Sequence, residues 1–134
     1  MTTPRPDWLP SLPGPLDAKL GIEITDWDPD RLVATMPVEG NTQPFGLLHG
    51  GATCTLAETA GSLAGMLHAG PGGSVVGVEL SASHLRGASA GLVTAVCTPV
   101  RRGRTLATFL IAVTDDAGRD TASVRLTCLV RPAR

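Results

Sequence analysis

Residues Gln43 to Leu67 read QPFGLLHGGATCTLAETAGSLAGML, and a single acid, Glu58, stands in a segment that is otherwise small, amide-bearing or apolar. A carboxylate so placed is a candidate nucleophile or general base. Gly50 and Gly51 lie ahead of it. If a helix begins there, its first N–H groups lack intrahelical partners and point along the axis. Glycine has no Cβ, so a carbonyl oxygen could approach those donors closely. Donors of this kind stabilise the oxyanion that develops on an attacked carbonyl, and losing one costs about 2.7–4 kcal/mol of barrier. Glu58 sits roughly 12 Å along the axis from Gly50 at 1.5 Å per residue. That is too far for the carboxylate to serve N–H groups of its own helix.

The elements that must hold these groups can be read from periodicity. Gly50 to His68 is the one long helical candidate, with Ala52, Leu56, Ala60, Leu63 and Leu67 recurring at helical spacing. Cys54, Gly61, Ser62 and Gly65 on the other side are also small and uncharged, which predicts a helix enclosed by protein. AGPGG (69–73) ends it. Two short strands are expected before it, Gly21 to Trp27 and Leu32 to Val38, joined by a DPDR turn. Four follow: Val75 to His84, Leu92 to Val100, Thr105 to Thr114 and Ala122 to Arg131. In the last, Val124, Leu126, Cys128 and Val130 share one face, and Ser123, Arg125, Thr127 and Arg131 the other. The pattern predicts an α+β layer, one long buried helix wrapped by a curved antiparallel sheet. Residues 1–20 carry Pro4, Pro6, Pro10, Pro13 and Pro15 and read as an arm with a short helical turn near Leu16 to Leu20. Residues 21–134 read as one domain.

Composition narrows the function. The chain has 134 residues, 43% hydrophobic and 17% charged, with net charge −1, so no global field favours nucleic acid or an anionic membrane. Aromatics make up 3% and no basic stripe is present, which argues further against nucleic acid. No apolar run reaches the roughly 18 residues that span a bilayer. Cys54, Cys97 and Cys128 form no ligand spacing and read as buried reduced thiols, suiting a cytoplasmic protein. His49, His68 and His84 likewise suggest no metal site.

Gln43, the tripeptide His49-Gly50-Gly51 and Glu58 on the following helix resemble the hotdog-fold acyl-CoA thioesterases, most closely the group acting on phenylacetyl-CoA and 4-hydroxybenzoyl-CoA type thioesters. The similarity extends over nearly all of the chain after the arm, including the Gly103-Arg104-Thr105-Leu106 hairpin. The resemblance implies hydrolysis of an aryl or medium-chain acyl-CoA, with no cofactor besides the coenzyme A of the substrate. It implies Gly50 N–H as oxyanion donor and Glu58 as nucleophile, through a mixed anhydride, or as general base for water. It places the site at a subunit interface, helix start from one copy and acid from the other. A homo-oligomer is therefore expected, a dimer at minimum and a tetramer by analogy.

Other positions carry paired readings. His49 either contacts substrate or holds its loop through backbone hydrogen bonds. Gln43 matches a position that touches the thioester or orients water; alternatively it is a loop amide. Ser62 lies one turn past Glu58 and either positions water or packs. Phe45 either lines the acyl pocket or fills core. Gly51 would help admit the carbonyl. Phosphates of coenzyme A call for arginine. By resemblance the Arg86–Gly87 loop and the Arg102-Gly103-Arg104-Thr105 turn face the nucleotide, with Gly87 and Gly103 able to expose backbone N–H groups; a solvated basic turn is the alternative. Where His84 stands the family usually has an aromatic, and where Gly87 stands often Pro. Two rivals remain: a hotdog hydratase or dehydratase, although the Pro-rich loop that usually follows its His is missing, and a non-catalytic acyl-CoA binding protein.

Overall fold

The computed structural model describes all residues, 1–134. Its elements are α1 (Pro15–Leu20), β1 (Glu23–Asp28), β2 (Arg31–Pro37), α2 (Gly50–Ala69), β3 (Ser74–His84), β4 (Leu92–Arg102), β5 (Leu106–Thr114) and β6 (Asp120–Arg131). The six strands form one antiparallel sheet in the order β1-β2-β4-β5-β6-β3. Helix α2 packs against β2 through β6, so the sheet curves around it in the hotdog arrangement expected from sequence.

Alternation in the strands puts their apolar faces on the helix. Leu32, Ala34 and Met36 of β2, Val93, Ala95 and Cys97 of β4, Phe109, Ile111 and Val113 of β5, and Val124, Leu126, Cys128 and Val130 of β6 are all buried. They enclose Leu56, Ala57, Ala60 and Ala64 of α2. The helix is not enclosed all round, as its composition suggested. One stripe is buried, while Gly51 and Glu58 are exposed and Cys54, Ser62, Leu63 and Leu67 are intermediate. Gly61 and Gly65 also belong to the buried stripe rather than the outer side. A Cβ on Gly61 would lie 2.5 Å from Leu126 Cδ2, and one on Gly65 3.4 Å from Val75. The missing side chains let helix and sheet approach.

This closeness gives a stability prediction. Ala at position 61 gains about 0.5–1 kcal/mol of helix propensity over Gly. It also overpacks against Leu126, which is fully buried, at a typical cost of about 1–3 kcal/mol. The second effect is larger because Leu126 has nowhere to move. Gly61→Ala should therefore lower Tm by several degrees, measurable by calorimetry; a raised Tm would show that the sheet relaxes.

The arm is fastened to β1. Thr3 N–H donates to Asp26 Oδ1 at 3.0 Å and Trp27 N–H donates to the Thr3 carbonyl at 3.0 Å. Leu9 is buried. Helix α1 ends at Gly21, whose φ of 74° is left-handed and whose Cβ position lies 2.9 Å from Pro37. Both the dihedral and the space call for glycine there.

Candidate active site

His49 caps α2. Its extended backbone precedes the helix, and its Nδ1 accepts the Gly51 N–H at 2.8 Å. Its own N–H donates to the Asn41 carbonyl at 2.9 Å, while Asn41 Nδ2 ties the loop to the Leu20 and Pro37 carbonyls, both at 2.8 Å. Of its two readings, the loop-holding one matches this geometry. The same bond occupies the Gly51 donor, contrary to the expectation that both glycines present free N–H groups. Gly50, at the first helical position, makes no such bond, and its N–H is the donor left at the helix start.

Around Gly50 lies a cleft of about 430 Å³ lined by Gln43, Leu47, Thr53, His84, Arg86 and Gly87 among others. The His84 ring stands against Gly50, 3.0 Å from where a Cβ would be. Gln43 Oε1 accepts the Phe45 N–H, so its oxygen serves the loop. Its amide nitrogen makes no hydrogen bond to protein. Phe45 is largely exposed, so core filling is ruled out for this side chain in the single chain.

Glu58 is elsewhere. It is exposed on the open side of α2 and shares a second cleft, about 360 Å³, with Thr55, Thr59, Ser62, Leu63, Leu16 and Asp17. Its carboxylate lies against β3, with Oε1 3.0 Å from the position of a Gly77 Cβ. At this point β3 has a bulge: Gly77 pairs with Cys128 and Glu79 with Thr127, leaving Val78 as the extra residue. The relevance of Gly77 was missed in the sequence, though its signal was there. A glycine interrupting strand alternation marks a bulge or a close approach. Burial first, then the Glu58 charge, push the Cys54 thiol up. Burial, with Cys128 nearby, pushes Cys97 up to about 12, and burial, then Glu58, push Cys128 up to about 11. Cys97 and Cys128 are thus inert thiols at neutral pH. Cys54 is only half-buried, short of the full burial expected.

The expected nucleotide contacts are divided within one chain. Arg86 and Gly87 border the Gly50 cleft at the start of α2. The hairpin of Arg102 to Thr105 lies at the other end, where His68 Nε2–H donates to the Gly103 carbonyl at 2.7 Å. Helix α2 has 20 residues, so the ends stand about 28 Å apart. The Gly103 N–H donates to Leu106 at 2.9 Å and is not free for phosphate, correcting that expectation. A Cβ on Gly103 would lie 2.5 Å from the Leu106 carbonyl, so the tight turn explains this glycine. Arg102 pairs with Asp30 at 2.9 Å. Arg104 and Thr105 are exposed, and the Thr105 carbonyl accepts from Val130 N–H at 2.7 Å.

The sheet wrapped around one long helix, with a capped, glycine-lined helix start, is the hotdog fold. The chain belongs to the thioesterase superfamily, whose family model matches residues 45–122. It is 50% identical over 118 residues to the proofreading thioesterase EntH of Cronobacter turicensis, covering 87% of this chain and 86% of that protein. A solved thioesterase of Haemophilus influenzae is 42% identical with a TM-score of 0.84, over 87% of this chain and 82% of that one. The PaaI protein from the phenylacetic acid degradation operon of E. coli superposes with a TM-score of 0.76 at 25% identity, over 85% and 82% of the two chains.

Proposed function

We propose that the protein is a cytoplasmic acyl-CoA thioesterase for aryl or medium-chain acyl groups, assembled from two copies at each site. One observation carries this reading: Gly50 and Glu58 occupy separate clefts of one chain, and the edge strand β3 adjoins both groups, His84 at Gly50 and Gly77 at Glu58. Strand β3 has 11 residues, no Lys or Pro, and Val76 and Val78 more than half exposed. Such an edge is a template for another strand. A two-fold axis through the middle of Ser74–His84 would pair it antiparallel with its copy. Each strand's His84 end then meets the other's Ser74 end. His84 adjoins Gly50, and Gly77 adjoins Glu58. Self-pairing therefore carries the partner's Gly50 toward this chain's Glu58.

Chemistry follows from that juxtaposition. The Gly50 N–H and the dipole at the helix start receive the thioester oxygen as it becomes an oxyanion. Glu58 either attacks the carbonyl carbon, giving a mixed anhydride that water opens, or deprotonates the attacking water. The C–S bond breaks in either case, and coenzyme A leaves as thiolate. Gln43 and Ser62 are the side chains placed to orient the thioester or the water, and His49 holds the donor loop. The exposed Leu92, Val100, Leu106 and Leu110 lie on strands β4 and β5 and give two dimers a surface on which to form a tetramer.

A panel of acyl-CoAs with a thiol-reactive reporter tests the reading: some members should release free coenzyme A. Binding without release would indicate an acyl-CoA binding protein, and hydration of an enoyl substrate a hydratase. In the same assay Arg86→Ala and Arg104→Ala should raise KM several-fold more than they lower kcat, since phosphate contacts act equally on ground and transition states. Arg102→Ala additionally breaks the Asp30 pair. Were the losses to fall on kcat alone, nucleotide anchoring by these arginines would be wrong.

A further inference from the structure

A further cavity lies beyond the Glu58 cleft. It measures about 500 Å³, within the range of small-molecule sites, and opens between the arm, β1 and α2. The arm contributes Arg5, Leu12 and Pro13, and β1 contributes Glu23, Ile24 and Trp27. Asp17, Thr59 and Leu63 line both this chamber and the Glu58 cleft, so the two are continuous. At their border Thr59 Oγ–H donates to Asp17 Oδ1 at 2.7 Å. From Glu58 to Leu63 is about 7.5 Å along the helix.

We propose that this chamber is the distal acyl pocket: the chain that supplies Glu58 also supplies, through its Pro-rich arm, the walls that hold the far end of an extended acyl group. The inference rests on the thioesterase reading of Glu58. The thioester and the first part of the acyl group fill the carboxylate cleft. Only a group that passes the Thr59–Asp17 pair reaches Leu12, Ile24 and Trp27, which line the chamber and not the Glu58 cleft. A short acyl group or a single unsubstituted ring leaves the chamber unused, so the substrate class that draws most binding energy from this protein is an extended, mainly apolar acyl chain. Arg5 fixes the arm's shape by donating through Nη2 to the Leu9 carbonyl at 2.9 Å and the Pro10 carbonyl at 2.5 Å. With the arm also bonded to β1, the wall is formed before substrate arrives, which saves the cost of ordering it on binding.

The test fills the chamber from α1. Ala18 lines it and is exposed, so Ala18→Phe and the milder Ala18→Leu add volume without disturbing the core. The measured quantity is the ratio of kcat/KM for dodecanoyl-CoA to that for butanoyl-CoA. It should exceed unity in the wild type and fall at least about tenfold in Ala18→Phe, the scale of pocket discrimination by size. A direct binding measurement separates this inference from the activity. In a Trp8→Phe background the remaining Trp27 reports on the chamber, and its fluorescence should respond to dodecanoate and not to butanoate, with the response weakened by Ala18→Phe. A ratio unchanged by both variants, or a dodecanoate-insensitive Trp27, overturns the proposal. Failure of the wild type to release coenzyme A, with Trp27 still responding, would sink the thioesterase reading while leaving a chamber that binds acyl chains.

Discussion

Glu58→Ala should lower kcat by at least about a hundredfold for every acyl-CoA that the wild type turns over, the scale of a lost catalytic base. The structure makes this result interpretable. Glu58 is exposed in the single chain and takes part in no ion pair or protein hydrogen bond, so its removal disrupts no packed or bonded structure. Exposed substitutions of this kind usually change stability by no more than about 0.5 kcal/mol. An unchanged Tm and native mass together with lost turnover would place the defect in chemistry. Glu58→Gln sharpens the measurement. Gln keeps the size and hydrogen-bonding reach of the side chain, yet it can neither attack as a carboxylate nor accept the water's proton. Gln and Ala should therefore lose activity to a similar degree. Retention of most activity by Glu58→Gln would reduce the residue to a polar contact.

The strand part of the fold was legible because its signal has period two. Val124, Leu126, Cys128 and Val130 alternate with neighbours that are polar except for Leu129, and burial follows that alternation residue by residue. The helix was legible within one residue, since Gly50 to His68 with AGPGG ending it matches the observed Gly50–Ala69. The orientation of α2 was harder to read. Small residues occupy both of its sides, so the pattern does not say which glycines face the sheet, and Gly61 and Gly65 fell on the wrong one. Chemistry at the site was legible as residue types, since a lone acid after a glycine pair is conspicuous. Its geometry was less so: the bonds His49 makes to Gly51 and Gly103 makes to Leu106 depend on local turns. The Pro-rich segment reads as an arm partly draped on the body, but its place there was not legible, because it rests on backbone bonds to β1 and on contacts without periodicity. Proline excludes regular structure there but does not say where the segment lies.

Gly50→Pro should cost about 10²–10³ in kcat, the loss associated with one oxyanion donor. Proline removes the N–H while fitting the backbone: position 50 opens the helix, where proline is favoured, and the preceding His49 is already extended. The ring must displace His84, whose imidazole is exposed and free to shift by a few tenths of an ångström. Gly50→Ala is the control, adding the Cβ and keeping the N–H, and it should retain far more activity. The two defective chains then test the shared site. If each site takes Glu58 from one copy and Gly50 from the other, a hybrid of Glu58→Ala with Gly50→Pro contains one site with neither defect and one with both. Random assembly of equal amounts makes half the dimers hybrid, so mixing two nearly inactive proteins after dissociation should restore about a quarter of wild-type activity. If both groups came from the same chain, every site in the mixture would keep one defect and no activity would return. Mixing without recovery, with subunit exchange verified by mass, would mean that the pairing of β3 with its copy does not build the site.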